Sequence, residues 1–151
     1  MTIPRTLLLW TFAAALACAT RAGANFDLPA TKTPNADAEV AAQALNAGQW
    51  QRAIEGFNAA LKAEPGNANY ENGLGYAYRK LGKMDLSFVH YREALRIDPD
   101  LRSAHEYIGE AYLAVGDKAK AREHLARLEV LCKGRGCEEY QDLARAIAQA
   151  K

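Results

Sequence analysis

The sequence has few of the residues that carry chemistry. Serine occurs only at Ser87 and Ser103, neither in the G-x-S-x-G setting of a hydrolase nucleophile. The three histidines, His90, His105 and His124, form no H-x-x-x-H or H-E-x-x-H pair, so no zinc-protease helix is written. Gly73 and Gly75 are not followed by Lys-Ser/Thr, which excludes a phosphate loop. Charge of one sign is also missing. Nineteen basic residues face 18 acidic ones, net charge is +1, and the basic residues are scattered. Nothing here attracts nucleic acid or an anionic membrane surface. The expectation is a non-enzyme with no cofactor, no metal and no small-molecule substrate.

The opening residues stand apart. MTIPRTLLLWTFAAALACATRAGA places Arg5 before an apolar run, Leu7 to Ala17, that is too short to span a bilayer. Ala22 and Ala24 form an A-x-A site ahead of Asn25. This predicts a secretory signal peptide over residues 1–24, cleaved after Ala24, and hence export to a bacterial periplasm. One alternative is an amino-terminal membrane anchor. Another is a lipoprotein held to the membrane through Cys18, since "ALAC" resembles a lipobox, although Ala15 stands where Leu is usual. Residues 25–33, rich in turn formers, read as a flexible leader. Phe26 and Leu28 are its apolar residues, which raises the idea that it folds back into the rest of the chain.

Beyond residue 34 only two prolines remain, Pro65 and Pro99, and their separation is the key to the rest. "LGYAYRKLG" at 74–82 returns as "IGEAYLAVG" at 108–116. At the same interval Gly48, Gly82 and Gly116 share a column, as do Ala53, Ser87 and Ala121, and Phe57, Tyr91 and Leu125. A fixed period of about 34 residues marks stacked supersecondary units. Glycines after helical runs supply the turn. First helices are expected at 36–47, 68–81 and 102–115, second helices at 50–63, 84–97 and 118–131. Phe57, Ala60 and Leu61, then Tyr91, Ala94 and Leu95, make a stripe facing a core. Gly75 and Gly109 let the two helices of a hairpin approach closely.

On these residues the rows resemble tetratricopeptide repeats (TPR). Leu74, Gly75, Tyr78, Gly82, Tyr91, Ala94 and Pro99 stand at the expected spacings, and the third row follows through Ile108, Gly109, Tyr112 and Gly116. The first row has Ala41 and Ala44 instead of Gly and Tyr, and Glu71 and His105 stand where an aromatic is usual. The resemblance implies an all-α solenoid of three helix-turn-helix hairpins, residues 34–67, 68–101 and 102–135, followed by a capping helix within 136–151. In that cap Tyr140, Leu143, Ala144 and Ile147 form an apolar stripe that would cover the last open face.

The resemblance also implies a function: protein–protein interaction, as an adaptor or assembly factor, with a peptide or helix bound in the concave groove. The implied groove positions are Asn69, Asn72, Tyr76, Arg79 and Lys80 in the middle row, and Ser103, Glu106, Glu110 and Leu113 in the third. In the first row they are Asn35, Ala38, Ala42 and Leu45. The TPR clamp for chaperone carboxylate tails needs cationic and amide residues where this chain has Ala38, Ala42, Ser103 and Tyr107, so that mode is not expected.

Cys132 and Cys137, in CKGRGC, are predicted to form a structural disulfide that clamps the cap, gaining about 2 kcal/mol from so short a loop. A thiol–disulfide redox protein using this pair is the competing class, with Lys133 and Arg135 as electrostatic support. A third reading is self-association through an under-covered first helix at Ala41, Ala42, Ala44 and Leu45.

Overall fold

The computed structural model describes Phe26, Leu28 and residues 35–150. The expected signal peptide, Cys18, and the expected leader apart from Phe26 and Leu28 lie outside the described residues. Among the described residues all regular structure is helical. In chain order these are α1 (Ala36–Asn46), α2 (Trp50–Ala63), α3 (Ala68–Lys80), α4 (Met84–Ile97), α5 (Arg102–Ala114), α6 (Lys118–Leu131) and α7 (Glu138–Gln149). No described helix is long and apolar enough to cross a membrane.

Local chemistry sets the boundaries. The side chains of Asn35 and Asn67 accept from backbone N–H groups of the first turns of α1 and α3, supplying partners those donors lack within the helix. The first helices end one residue earlier than the sequence suggests, because Ala47, Leu81 and Val115 are caps. The glycine after each cap has positive φ, 71° at Gly48, 74° at Gly82 and 84° at Gly116, a conformation that costs glycine little. The second helices α2 and α4 stop two residues before Pro65 and Pro99, whereas α6 has Lys133 at the corresponding place.

Packing follows the glycine and aromatic columns. A Cβ at Gly75 would lie 2.5 Å from the Tyr91 ring, and one at Gly73 would lie 2.4 Å from the Phe57 ring. α3 is therefore notched on two sides, for its own partner α4 and for α2 of the preceding hairpin. Phe57 and Tyr91 are both fully buried, each contributing about 2–3 kcal/mol of apolar burial. Gly109 departs from the expectation. Its notch receives Leu143 of α7, 2.6 Å from a would-be Cβ, rather than a residue of its own hairpin partner α6. The third row has Leu125 where α4 has Tyr91, and the cap fills the notch instead. Ser87 replaces alanine in a buried column at the cost of one hydroxyl, which donates to the Gly75 carbonyl at 2.8 Å.

The stack curves. α1 touches α3, α3 touches α5, and α5 touches α7, while α2, α4 and α6 do not touch one another. The mutually touching first helices and α7 thus line the inner face, and the splayed second helices form the outer one. α7 covers α5 and α6 as a further first helix would. The chain has the all-α solenoid architecture: three hairpins and a cap.

Candidate functional site

The inner face is centred on Tyr76. α3 presents residues 72, 76 and 79 one turn apart on this side. The Tyr76 ring lies 5.0 Å from Tyr107 of α5 and 6.2 Å from Trp50 of α2. The Arg79 guanidinium stands 5.2 Å from the Tyr76 ring and 6.0 Å from that of Tyr107. Its Nη2 meets Glu110 Oε2 at 2.6 Å, so the cation is bound across α3 and α5. Lys80 Nζ lies 5.0 Å from the Tyr76 ring on the more exposed side. Burial works against the Arg79 charge, but Tyr91, Glu110 and Tyr76 more than offset it, and its pKa is raised. Burial pushes the Tyr76, Tyr91 and Tyr107 hydroxyls up, so all three remain neutral donors at physiological pH.

Beneath this surface lie unmet hydrogen-bonding groups. Asn72 Nδ2 donates to Ser103 Oγ at 3.1 Å, while Asn72 Oδ1, Arg79 Nε and the Tyr91 hydroxyl are buried without a partner in hydrogen-bond geometry among the described residues. Glu106 is only 6% exposed. Its pKa is pushed up to about 8, first by burial, then by Glu110, Asp142 and Glu139, with Arg79 acting in the opposite sense.

The structure thus sorts the sequence-predicted groove residues. Arg79, Lys80, Glu110 and Leu113 reach the inner face, with Asn69 and Ser103 half-buried, while Tyr76 is itself buried, 7% exposed, beneath its neighbours. Asn72 and Glu106 are corrected to buried residues: the first is spent on Ser103, and the second lies between α5 and the acidic side of α7. In the first row Ala38, Ala42 and Leu45 are buried, and Asn35 caps α1 and donates to Glu64 at 3.1 Å. The idea of an under-covered first helix is likewise corrected, since Ala41, Ala42, Ala44 and Leu45 are all buried.

Part of that cover is Phe26. Its ring is 5% exposed and sits edge-on to Phe57, centroids 5.7 Å apart, and 6.4 Å from Tyr76. The Phe26 N–H donates to Asn46 Oδ1 at 2.8 Å, and Asn46 Nδ2 donates back to the Phe26 carbonyl at 3.4 Å. Sequence reasoning missed Asn46. The period could have found it, because it occupies the column of Lys80.

A second feature recurs with the period. Glu71 and His90 pair at 2.7 Å, and at equivalent positions His105 Nδ1 and His124 Nδ1 stand 2.9 Å apart. Tyr78 stacks on His90 and Tyr112 on His124. His105 Nε2 must carry a hydrogen, because its partner at 3.0 Å is the Pro99 carbonyl. With both rings neutral, His124 then donates and His105 accepts. Burial and the neighbouring His105 lower the His124 pKa to about 4.

Cys132 and Cys137 have Cα atoms 5.8 Å apart, within the span of a disulfide, and the structure pairs their sulfurs. Among the described residues, the one close group of three metal-type donors is Cys132, Cys137 and Glu139. Paired sulfurs are not thiolates, so the cluster does not constitute a ligand set as it stands.

Comparison with known proteins agrees with this architecture. Residues 75–116 match the family model described as TPR repeat. The chain is 30% identical over 98 residues, 65% of its length, to the inactive TPR repeat-containing thioredoxin TTL3 of Arabidopsis thaliana, and spans only 13% of that protein. Among solved structures it is similar to the yeast Sti1 TPR2B domain in its pHsp70 complex, with TM-score 0.67 and 20% identity, covering 78% of this chain and 100% of that one. It is also similar to the Yersinia enterocolitica type III secretion translocator chaperone SycD, with TM-score 0.63 and 20% identity, covering 74% and 76% of the two chains. The fold is that of a TPR solenoid.

Proposed function

We propose that this TPR solenoid is a non-enzymatic protein-interaction module that holds an extended peptide on its inner face, as an adaptor or assembly factor in a bacterial envelope. The observation that carries the reading is the floor built by α3 and α5: Tyr76 and Tyr107 5.0 Å apart, with Arg79 beside both rings. Rigid aromatics and arginine dominate binding energy at protein interfaces. The yeast neighbour's pHsp70 complex supports a peptide as the partner class. An acidic carboxylate tail is a poor fit to this groove. Ala38, Ala42, Ser103 and Tyr107 offer it no cation, and Arg79 is engaged by Glu110. The envelope setting rests on the signal-like residues 1–24 and on the Cys132–Cys137 pair, which an oxidising compartment would keep joined. That pair serves as a structural clamp in this reading, and Arg135 of its loop is tied to Glu129 at 2.9 Å.

The test is site-specific photocrosslinking in the producing cell. A crosslinker at Lys80, on the inner face, is compared with one at Val89, exposed on α4. A partner captured from position 80 and not from 89 is expected. Capture from 89 alone would place the binding surface on the outer helices and overturn the reading.

A further inference from the structure

We infer that the groove carries its own ligand: the Phe26–Leu28 segment occupies the place of a partner peptide, which must displace it. The partner class is then an extended segment bearing an aromatic side chain, with an aliphatic one two residues later. This deepens, and rests on, the peptide-binding reading above.

Three observations support it. The first is how the backbone is held. Asn46 uses both ends of its amide on one residue, accepting from the Phe26 N–H and donating to the Phe26 carbonyl. Any residue of an extended chain offers that same pair, so the clamp recognises backbone and not sequence. The second is how the side chain is held. The Phe26 ring is buried against Phe57 and Tyr76, the central residue of the proposed binding floor, and Leu28 packs on the same core. Selectivity for an aromatic sits there. The third is that the backbone contact lies outside the hydrogen-bond ladders of the helices. Asn46 ends α1, its column holds Lys80 and Ala114 in the other rows, and among the described residues no helix uses Phe26 as a backbone partner. A like segment from another protein could take the seat without unwinding anything.

The connection makes the segment a strong competitor. Only residues 29–34 separate Leu28 from Asn35, where α1 is capped. A tether this short gives an effective concentration on the order of 1 mM. A peptide with an intrinsic Kd of about 100 µM would therefore bind the native chain roughly tenfold more weakly than a chain whose own segment is disabled.

The probe is a fluorescein-labelled peptide ANFDLPA, copied from residues 24–30, with ANADLPA as control. Anisotropy is measured on the full chain as native, Phe26→Ala, and Phe26→Ala with Asn46→Ala. The expected result is binding to Phe26→Ala roughly tenfold tighter than to the native chain, loss of that gain in the double variant, and no binding of the control. Equal affinity for native and folded Phe26→Ala overturns the inference. Where circular dichroism shows Phe26→Ala unfolded, hydrogen exchange of the native chain decides. Faster exchange of the Phe26 amide at saturating peptide supports displacement, and unchanged protection refutes it. A native dimer abolished by Phe26→Ala would place the segment in the groove of a second copy, also overturning the arrangement. Crosslinking from position 80 in the Phe26→Ala chain separates the two readings. If it persists while the peptide fails, the groove stands and only the built-in ligand falls.

Discussion

Replacing Glu106 with glutamine should stabilise the protein at alkaline pH and leave it unchanged in mild acid. Glu106 lies on α5, 6% exposed, with Glu110 on its own helix and Glu139 and Asp142 facing it from α7. Arg79, the cation that acts on it among the described residues, is already engaged by Glu110. Burial and these three carboxylates raise its pKa from 4.5 to about 8. An unfolded chain releases this proton near pH 4.5, the folded chain near pH 8. Between those values the folded state holds a proton that the unfolded state lacks, so stability falls as pH rises, by about 1.4 kcal/mol per unit. The full shift sets a ceiling of about 5 kcal/mol. The ceiling is not reached, because α7 can lift from α5 and rehydrate the carboxylate before the whole chain unfolds. A loss of about 2–4 kcal/mol between pH 5 and pH 9 is expected for the native chain relative to Glu106→Gln, which keeps the shape and cannot ionise. Urea denaturation at pH 5, 7 and 9 measures it. Coincident stabilities at pH 5 that diverge towards pH 9 support the argument. Native and variant curves that run parallel over the whole range would refute it.

Gly75→Ala puts a methyl 2.5 Å from the buried Tyr91 ring and should destabilise by about 1–3 kcal/mol in thermal or urea unfolding. Gly109→Ala presses on Leu143 instead, so hydrogen exchange should show α7 loosening before α3 and α4. Reducing the Cys132–Cys137 pair, or replacing both residues with serine, should cost about 2 kcal/mol, read as a lower urea midpoint with an unchanged far-ultraviolet spectrum. His124 should titrate by NMR near pH 4. Because its folded pKa lies below the unfolded value of 6.5, its contribution is present above pH 6.5 and is lost as pH falls towards 4. His124→Phe should flatten that part of the acid limb.

The architecture was legible because it is local and periodic. Glycine with positive φ, a proline past the second helix of the first two hairpins, and an apolar stripe at helical spacing all act within a few residues, and Gly82 or Tyr91 shows its role in isolation. Site residues were harder to read. Asn72 and Tyr76 lie on the same side of α3, and nothing in the spacing says that Ser103 will absorb the amide while the ring packs against Tyr107 and Trp50. Gly109 reads like Gly75, but which residue fills its notch depends on α7, 34 residues away. Likewise the meeting of Phe26 with Asn46 spans 20 positions with no helix or strand to enforce it. The polar pairs Glu71–His90 and His105–His124 were hidden because an aromatic was expected at positions 71 and 105. The column had exchanged a ring for a hydrogen bond.

The notch at Gly109 also orders events in time. A chain emerging from the ribosome presents α5 and α6 before it presents Leu143. The second hairpin can close as soon as it is made, since Phe57 precedes the notch at Gly73 and Tyr91, which fills the notch at Gly75, follows within the same hairpin. The third hairpin has no such internal filler. It emerges with an unfilled cleft along α5 and stays open to chaperones, proteases or a neighbouring nascent chain until synthesis has passed through α7.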